Sequence, residues 1–287
     1  MKISRKKAIT YIAGIAATPA IGFPDCLSVS KQNLKENINH SVCRWPYSNK
    51  SLEELCEVAA DIGIKSVELL NPEEWKIARK YGLTCAMANG SPLHIPKGFI
   101  DPKYHKQLKK DFFDLIPKAV EDGLPNIICF SGNKNGLDEE TGLENAAKGL
   151  DPIVKLAEKQ GIIVCMELLN SKVDHADYMC DHTSWGVQLV EKIGSPNFKL
   201  LYDIYHMQIM EGDVIRTIRT YKDHIGHYHT GGVPGRNEID ETQELNYMAI
   251  MKAIADTGFN GYVAQEFIPK NEDSFASLKK AIEICTI

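Results

Sequence analysis

Several features that point to particular classes of protein are missing from this sequence. No apolar run approaches the roughly 20 residues that cross a membrane as a helix, so a membrane partner is not expected. No two cysteines have the CxxC spacing that is typical of structural zinc sites. No glycine-rich phosphate turn follows the first predicted strand, as a doubly wound nucleotide-binding sheet would more often have.

Positive charge is also scarce. The formal net charge is −5, from 33 basic and 38 acidic residues. Residues 1–22 contain four basic residues and no acidic ones, so the remaining chain carries −9. Proteins that bind nucleic acids normally present a strongly basic surface, which such a chain lacks. We therefore expect a small-molecule substrate and no nucleic-acid partner, and the sequence leaves a homo-oligomer possible.

The N-terminus has the pattern of an export signal. A basic start precedes an apolar stretch over 8–21, with small residues near 16–20. Ser4-Arg5-Lys6 resembles a twin-arginine signal in which Lys6 stands in place of the second arginine. The pattern predicts a signal peptide over 1–24, a linker over 25–37 and a periplasmic or otherwise exported protein. The alternative is a frayed amphipathic helix on a cytoplasmic protein.

Residues 38–287 alternate short apolar runs with patterns of helical period. Ser51 and Glu54 have the spacing of a capping box and predict the start of the first helix. Eight predicted strands and about eight helices in strict alternation favour a parallel sheet closed into a (β/α)8 TIM barrel. An open, doubly wound sheet is the second possibility.

Cysteines occur in four of the predicted core strands, each flanked by apolar residues. This placement predicts small buried hydrophobic side chains rather than disulfides. The four are Cys43, Cys85, Cys129 and Cys165.

Four polar side chains end four consecutive predicted strands. They are Glu167, Asp203, His229 and Glu266, separated by 36, 26 and 37 residues, and each interval fits one strand–helix–strand step. Barrel enzymes build their active sites at these strand ends, and charged groups there are costly unless they are paired or bound to metal. Three carboxylates and one imidazole suit Mn²⁺, Mg²⁺ or Co²⁺ better than structural zinc. The pattern predicts one divalent cation at this site.

Two other polar residues near strand ends are predicted to have supporting roles. His227 shares the face of His229 and is expected to face the core or to support a ligand. Glu68, at the end of the second predicted strand, is expected to pair with a charged group at the rim of the barrel.

Four stretches carry a resemblance to a known family: MELLN at 166–170, LLYDIYHMQ at 200–208, GHYHTGGVPGR at 226–236 and AQEF at 264–267. Over residues 36–287 the chain resembles the xylose isomerase-like barrel superfamily, most closely its hydroxypyruvate isomerase and ketose 3-epimerase branch. The resemblance implies that Glu167, Asp203, His229 and Glu266 hold the metal. It further implies that Glu167 and Glu266 act as acid and base, and that His206 and Arg236 reach the substrate's oxygens.

The expected reaction is an aldose–ketose type isomerisation of a small hydroxy-keto acid or sugar through an enediolate. One carboxylate removes a proton next to the carbonyl, and the same or the opposite one returns it to the neighbouring carbon. An arginine such as Arg236 would suit a substrate carboxylate. The alternatives are a ketose 3-epimerase, a phosphodiesterase resembling endonuclease IV, which the acidic balance disfavours, and a non-catalytic periplasmic carbohydrate-binding protein.

Overall fold

The computed structural model describes residues 37–287, so the predicted signal peptide and nearly all of the predicted linker lie outside the described residues. Within this range the strands are β1 (Asn39–Cys43), β2 (Ser66–Glu68), β3 (Asn126–Cys129), β4 (Ile163–Glu167), β5 (Phe198–Asp203), β6 (Ile225–Thr230) and β7 (Tyr262–Gln265). The helices are α1 (Leu52–Asp61), α2 (Pro72–Lys80), α3 (His105–Glu121), α4 (Glu139–Gln160), α5 (Thr183–Ile193), α6 (Ile204–Met210), α7 (Val214–Thr220), α8 (Tyr247–Asp256) and α9 (Ser274–Cys285). Short 3₁₀ turns cover Trp45–Tyr47, Pro102–Tyr104 and Lys222–His224.

All pairings between the strands of the described residues are parallel. The seven strands form one sheet in the order β2-β1-β7-β6-β5-β4-β3. Residues 84–89 bridge its two edge strands: Leu69 N donates to Met87 O on the β2 side, and Ile128 N donates to Ala88 O on the β3 side. The sheet therefore closes on itself, and the predicted (β/α)8 barrel is confirmed.

The third predicted strand is the one that departs from expectation, because residues 84–89 form isolated bridges rather than a regular strand. Side chains replace the ladder at Ala86. Its N–H donates to Ser66 Oγ, and its carbonyl accepts from Asn126 Nδ2. A backbone group that is bonded to a side chain has no partner left for the neighbouring strand. The local polar side chains therefore keep this segment irregular while satisfying its buried backbone.

Gly90, directly after this segment, lies so close to β3 that an added Cβ would clash with the carbonyl oxygen of Ile128. We expect Gly90→Ala to lower the free energy of unfolding by about 1–3 kcal/mol, as overpacking does. Urea unfolding followed by circular dichroism would measure this. Gly258→Ala is the control, since its φ is +79° but an added Cβ meets nothing within 4 Å. A smaller loss at 90 than at 258 would contradict the close approach.

The helices differ from the predictions mainly near the catalytic end. Ser51 caps α1 and forms the predicted box with Glu54. The sequence pattern predicts a helix over 213–221, where α7 lies, but α6 precedes it and starts directly after β5. The pattern also predicts a helix over 242–257, but α8 begins only at Tyr247, because residues 231–246 form a long loop above the barrel. That loop positions Arg236 over the strand ends.

Apolar packing occurs in two places. The larger core lies between the sheet and the surrounding helices, and a small cluster of Met87, Ile128, Cys165 and Leu201 fills the inside of the barrel. Each cysteine that the structure describes is buried and free, which confirms the prediction for the four strand cysteines. Among the described helices, none has the length and apolar character needed to cross a membrane.

Candidate metal and active site

The four residues predicted as metal ligands meet at one end of the barrel. Glu167 ends β4, Asp203 ends β5, His229 lies near the end of β6, and Glu266 directly follows β7. Each offers one atom to a cluster in which all the ligand atoms lie within 4.8 Å of one another, and all four residues are buried. Parallel strands whose ends share one rim bring these side chains together.

The contacts inside this cluster fit a cation better than a hydrogen-bond network. His229 Nδ1 lies 2.5 Å from Glu266 Oε2 and 3.3 Å from Glu167 Oε1. Neither contact has hydrogen-bond geometry, and Nδ1 has no hydrogen-bond partner in the described chain. When all three carboxylates are ionised they carry three negative charges, of which Arg236 offsets one. A buried divalent cation would offset the other two.

Arg236 lies over the site and is tied to two of the four residues. Its Nη2 donates to Asp203 Oδ2 at 2.7 Å and to Glu266 Oε2 at 2.6 Å. Its guanidinium carbon lies 5.4 Å from the ring centre of Trp45 and 5.3 Å from that of Tyr205, within the range of cation–π attraction. Its buried Nε has no partner among the described residues. Two carboxylates and two aromatic rings therefore fix the guanidinium of Arg236 over the cluster.

Trp45 contributes a contact that the sequence did not predict. Its indole Nε1 donates to Glu266 Oε1 at 2.6 Å, across 221 residues of chain. Core packing is the commoner role for a tryptophan, but Trp45 is 40% exposed and lines the cavity described below. Both oxygens of Glu266 therefore accept hydrogen bonds, from Trp45 and Arg236, whereas Glu167 accepts none on its carboxylate within the described chain.

Asp203 and His206 are linked through the start of α6. Asp203 Oδ1 accepts from the backbone N–H of His206 at 3.0 Å and thereby caps the helix. The His206 ring is fully buried, with Nδ1 2.7 Å from Asn170 Nδ2 and Nε2 3.8 Å from Asp203 Oδ2. Its Nε2 has no hydrogen-bond partner in residues 37–287. A contact between His206 and substrate stays a prediction.

Glu68 does not lie at the rim, as predicted, but is fully buried inside the barrel below the cluster. Its Oε1 is 2.8 Å from His227 Nε2 and 2.9 Å from His229 Nε2. His227 thus faces the interior, as expected. The rim prediction was wrong because the carboxylate finds two imidazoles on β6, 159 and 161 residues away, which the sequence could not indicate. The strand-end rule itself could have included Glu68.

The carboxylates of the cluster differ in their pKa values. Burial, helped by the charge of Glu266, raises the pKa of Glu167. Burial, with the charges of Glu266 and Glu167, also raises the pKa of Asp203, to about 7. Burial opposes ionisation of Glu266 too, but Arg236 and His229 hold its pKa well below its usual value. The site is thus crowded with negative charge except where Arg236 lies.

A cavity of about 330 Å³ opens above these residues. Arg236 is the only permanently charged cation among the described residues that line it. His175, in the loop between β4 and α5, is one of the lining residues. The full lining comprises Trp45, Leu69, Asn89, Ile95, Ile128, Phe130, Glu167, Leu169, His175, Arg236 and Glu266. The lining thus combines a few charged groups with mostly apolar side chains, as in many small-molecule sites.

Known proteins share both the fold and the sequence pattern. The family model described as "Xylose isomerase-like TIM barrel" matches residues 56–285. The chain belongs to this family. Within it, the chain is 30% identical over 234 residues to 2-oxo-tetronate isomerase from Cupriavidus necator, covering 76% of this chain and 87% of that protein. It is 27% identical over 225 residues to hydroxypyruvate isomerase from Escherichia coli, covering 75% and 86%.

A solved structure of D-psicose 3-epimerase with D-tagatose, from Clostridium cellulolyticum H10, has the same fold as this xylose isomerase-like barrel. The TM-score is 0.70 at 21% identity, over 87% of this chain and 100% of that one. This likeness agrees with the barrel fold, and the family-model match confirms the predicted resemblance to this superfamily.

Proposed function

We propose that the protein is a metal-dependent isomerase that interconverts the keto and aldehyde forms of a small hydroxy-keto acid or sugar. The isomerase class follows from the relatives named hydroxypyruvate isomerase and 2-oxo-tetronate isomerase. The observation that carries the proposal is the convergence of ligand atoms from Glu167, Asp203, His229 and Glu266 within 4.8 Å of one another. Two of these residues, Glu167 and Glu266, line the cavity. A divalent ion held by these four residues would stabilise negative charge on two neighbouring substrate oxygens.

Side chains of the protein would then carry out proton transfer and substrate binding. Glu167 lines the cavity, and its carboxylate accepts no hydrogen bond from residues 37–287, so it suits removal of the proton next to the carbonyl. Glu266 faces the same cavity and is the second acid/base group. Arg236 lines the cavity beside Trp45 and Tyr205, and its guanidinium suits a substrate carboxylate or hydroxyl.

A ketose 3-epimerase is the second candidate. The structural likeness to D-psicose 3-epimerase supports it. The two functions differ in where the proton returns. An isomerase returns it to the neighbouring carbon, whereas a 3-epimerase returns it to the opposite face of the same carbon.

A screen of short hydroxy-keto acids and ketoses with Mn²⁺, Mg²⁺ or Co²⁺ would test the proposal. For an isomerase we expect an aldehyde product, and in D₂O the deuterium should enter at a carbon next to the carbonyl. A product that is epimeric at C3 would favour the second candidate. Metal-loaded protein that turns over none of these compounds, yet binds a sugar, would instead support the carbohydrate-binding alternative.

A further inference from the structure

Glu68 lies below the proposed metal site, at the end of β2, and faces two histidines of β6. Its Oε1 is 2.8 Å from His227 Nε2 and 2.9 Å from His229 Nε2, and all three side chains are fully buried. Cys43 completes this layer, with Sγ 3.9 Å from Glu68 Oε1 and 3.8 Å from His229 Nε2. The carboxylate therefore has two imidazole neighbours on a single oxygen, and only one of them belongs to the metal cluster.

The contact determines which face of His229 reaches the metal cluster. An ionised carboxylate accepts hydrogen bonds and donates none, so the proton of a neutral His229 must be on Nε2. The lone pair is then on Nδ1, which faces Glu167 and Glu266. A histidine that binds a metal through one nitrogen is generally oriented by a hydrogen bond from the other.

We propose that Glu68 is a positioning residue that holds His229 with Nδ1 directed into the metal cluster. This inference rests on the metal site of the proposed function. His227 takes the second position on the same oxygen, with its ring 5.2 Å from that of His229 and at 84° to it. His227 therefore packs beside this contact and is not one of the four proposed metal ligands.

The backbone directly after Glu68 has an unusual conformation, which supports a defined position for the Glu68 side chain. Leu69 has φ of +58°, in the left-handed region that non-glycine residues rarely adopt. Two hydrogen bonds hold it there: its N–H donates to Met87 O at 2.7 Å, and its carbonyl accepts from Asn89 Nδ2 at 2.9 Å. Backbone strain of this kind tends to occur at functional sites, where several surrounding contacts hold the residue in place. The turn at Leu69 ends β2 immediately after the carboxylate.

Isothermal titration of the metal-free full chain with Mn²⁺ tests the proposal. We expect Glu68→Gln to raise the Kd by about 10- to 100-fold, as loss of an outer partner of a metal-bound histidine does. The amide can donate to Nε2 and so reverse the ring's proton arrangement. Glu68→Asp keeps a carboxylate and should lose less. His227→Gln is the matched control, because it removes a hydrogen bond from Glu68 without touching His229, and it should change the Kd less than Glu68→Gln.

A second measurement uses the wild type alone, so it does not depend on whether the variants fold. In the Mg²⁺-loaded wild type, proton NMR should show a slowly exchanging low-field imidazole N–H assigned to Nε2 of His229. Its absence, or wild-type Mn²⁺ affinity in folded Glu68→Gln, would overturn the proposal. A wild type that binds no Mn²⁺ would instead contradict the proposed metal site. Tight binding with no turnover of any substrate would contradict only the proposed reaction.

Discussion

Asp203→Asn is expected to lose the divalent cation while keeping the barrel folded. Asp203 Oδ1 caps α6 and its Oδ2 faces the cluster and Arg236. Asparagine caps helices about as well as aspartate, so the cap can survive. Its amide NH₂, however, would replace a charged oxygen ligand and face the guanidinium of Arg236. We expect an affinity loss greater than the roughly 10- to 100-fold that outer-shell changes cause.

Elemental analysis and Mn²⁺ titration of the purified full chain would measure this loss. Asp61→Asn is a suitable control, since Asp61 is exposed at the end of α1 and far along the chain from the cluster. Circular dichroism would show whether the variant is folded. Equal metal content in wild type and Asp203→Asn would rule out Asp203 as a ligand.

The sequence predicts the residues of the site better than it predicts their contacts. Glu167, Asp203 and His229 end apolar strands, and the repeat of that pattern is visible without a structure. The barrel fold follows from the same alternation. By contrast, segment 84–89, which closes the ring, is held by a hydrogen bond that Ser66 Oγ accepts and one that Asn126 Nδ2 donates, and neither has a periodic signature in the sequence.

The main features that the sequence did not predict are contacts between side chains that lie far apart along the chain. Trp45 and Glu266 are 221 residues apart, and Glu68 and His229 are 161 apart. Which side chains meet inside a barrel depends on strand stagger and tilt, which a single sequence does not encode visibly. Arg236 is a further case, since its position depends on an irregular loop and a left-handed backbone conformation, with φ of +58°.

Glu167→Gln and Glu266→Gln are each expected to abolish turnover while preserving the fold. A positioned acid or base contributes roughly 10²- to 10⁴-fold in rate, and each glutamate is also a proposed ligand, so the loss should be at least that large. Glutamine keeps the shape of the side chain and removes its ability to take a proton. Initial rates with an identified substrate, corrected for bound metal, would measure the loss, and Glu158→Gln on the exposed face of α4 is the control.

The surroundings of the two glutamates predict different secondary effects. Glu266 accepts from Trp45 and Arg236, so Glu266→Gln also places an amide NH₂ against one of these donors and should lower the free energy of unfolding. Hydrogen bonds to charged groups contribute about 1.5–3 kcal/mol, which sets the scale of that loss. Glu167 makes no such bond within the described chain, so Glu167→Gln should remain close to wild type in stability. If both variants retained near wild-type rates, proton transfer by these carboxylates would be excluded, and the four residues would be better interpreted as a binding site.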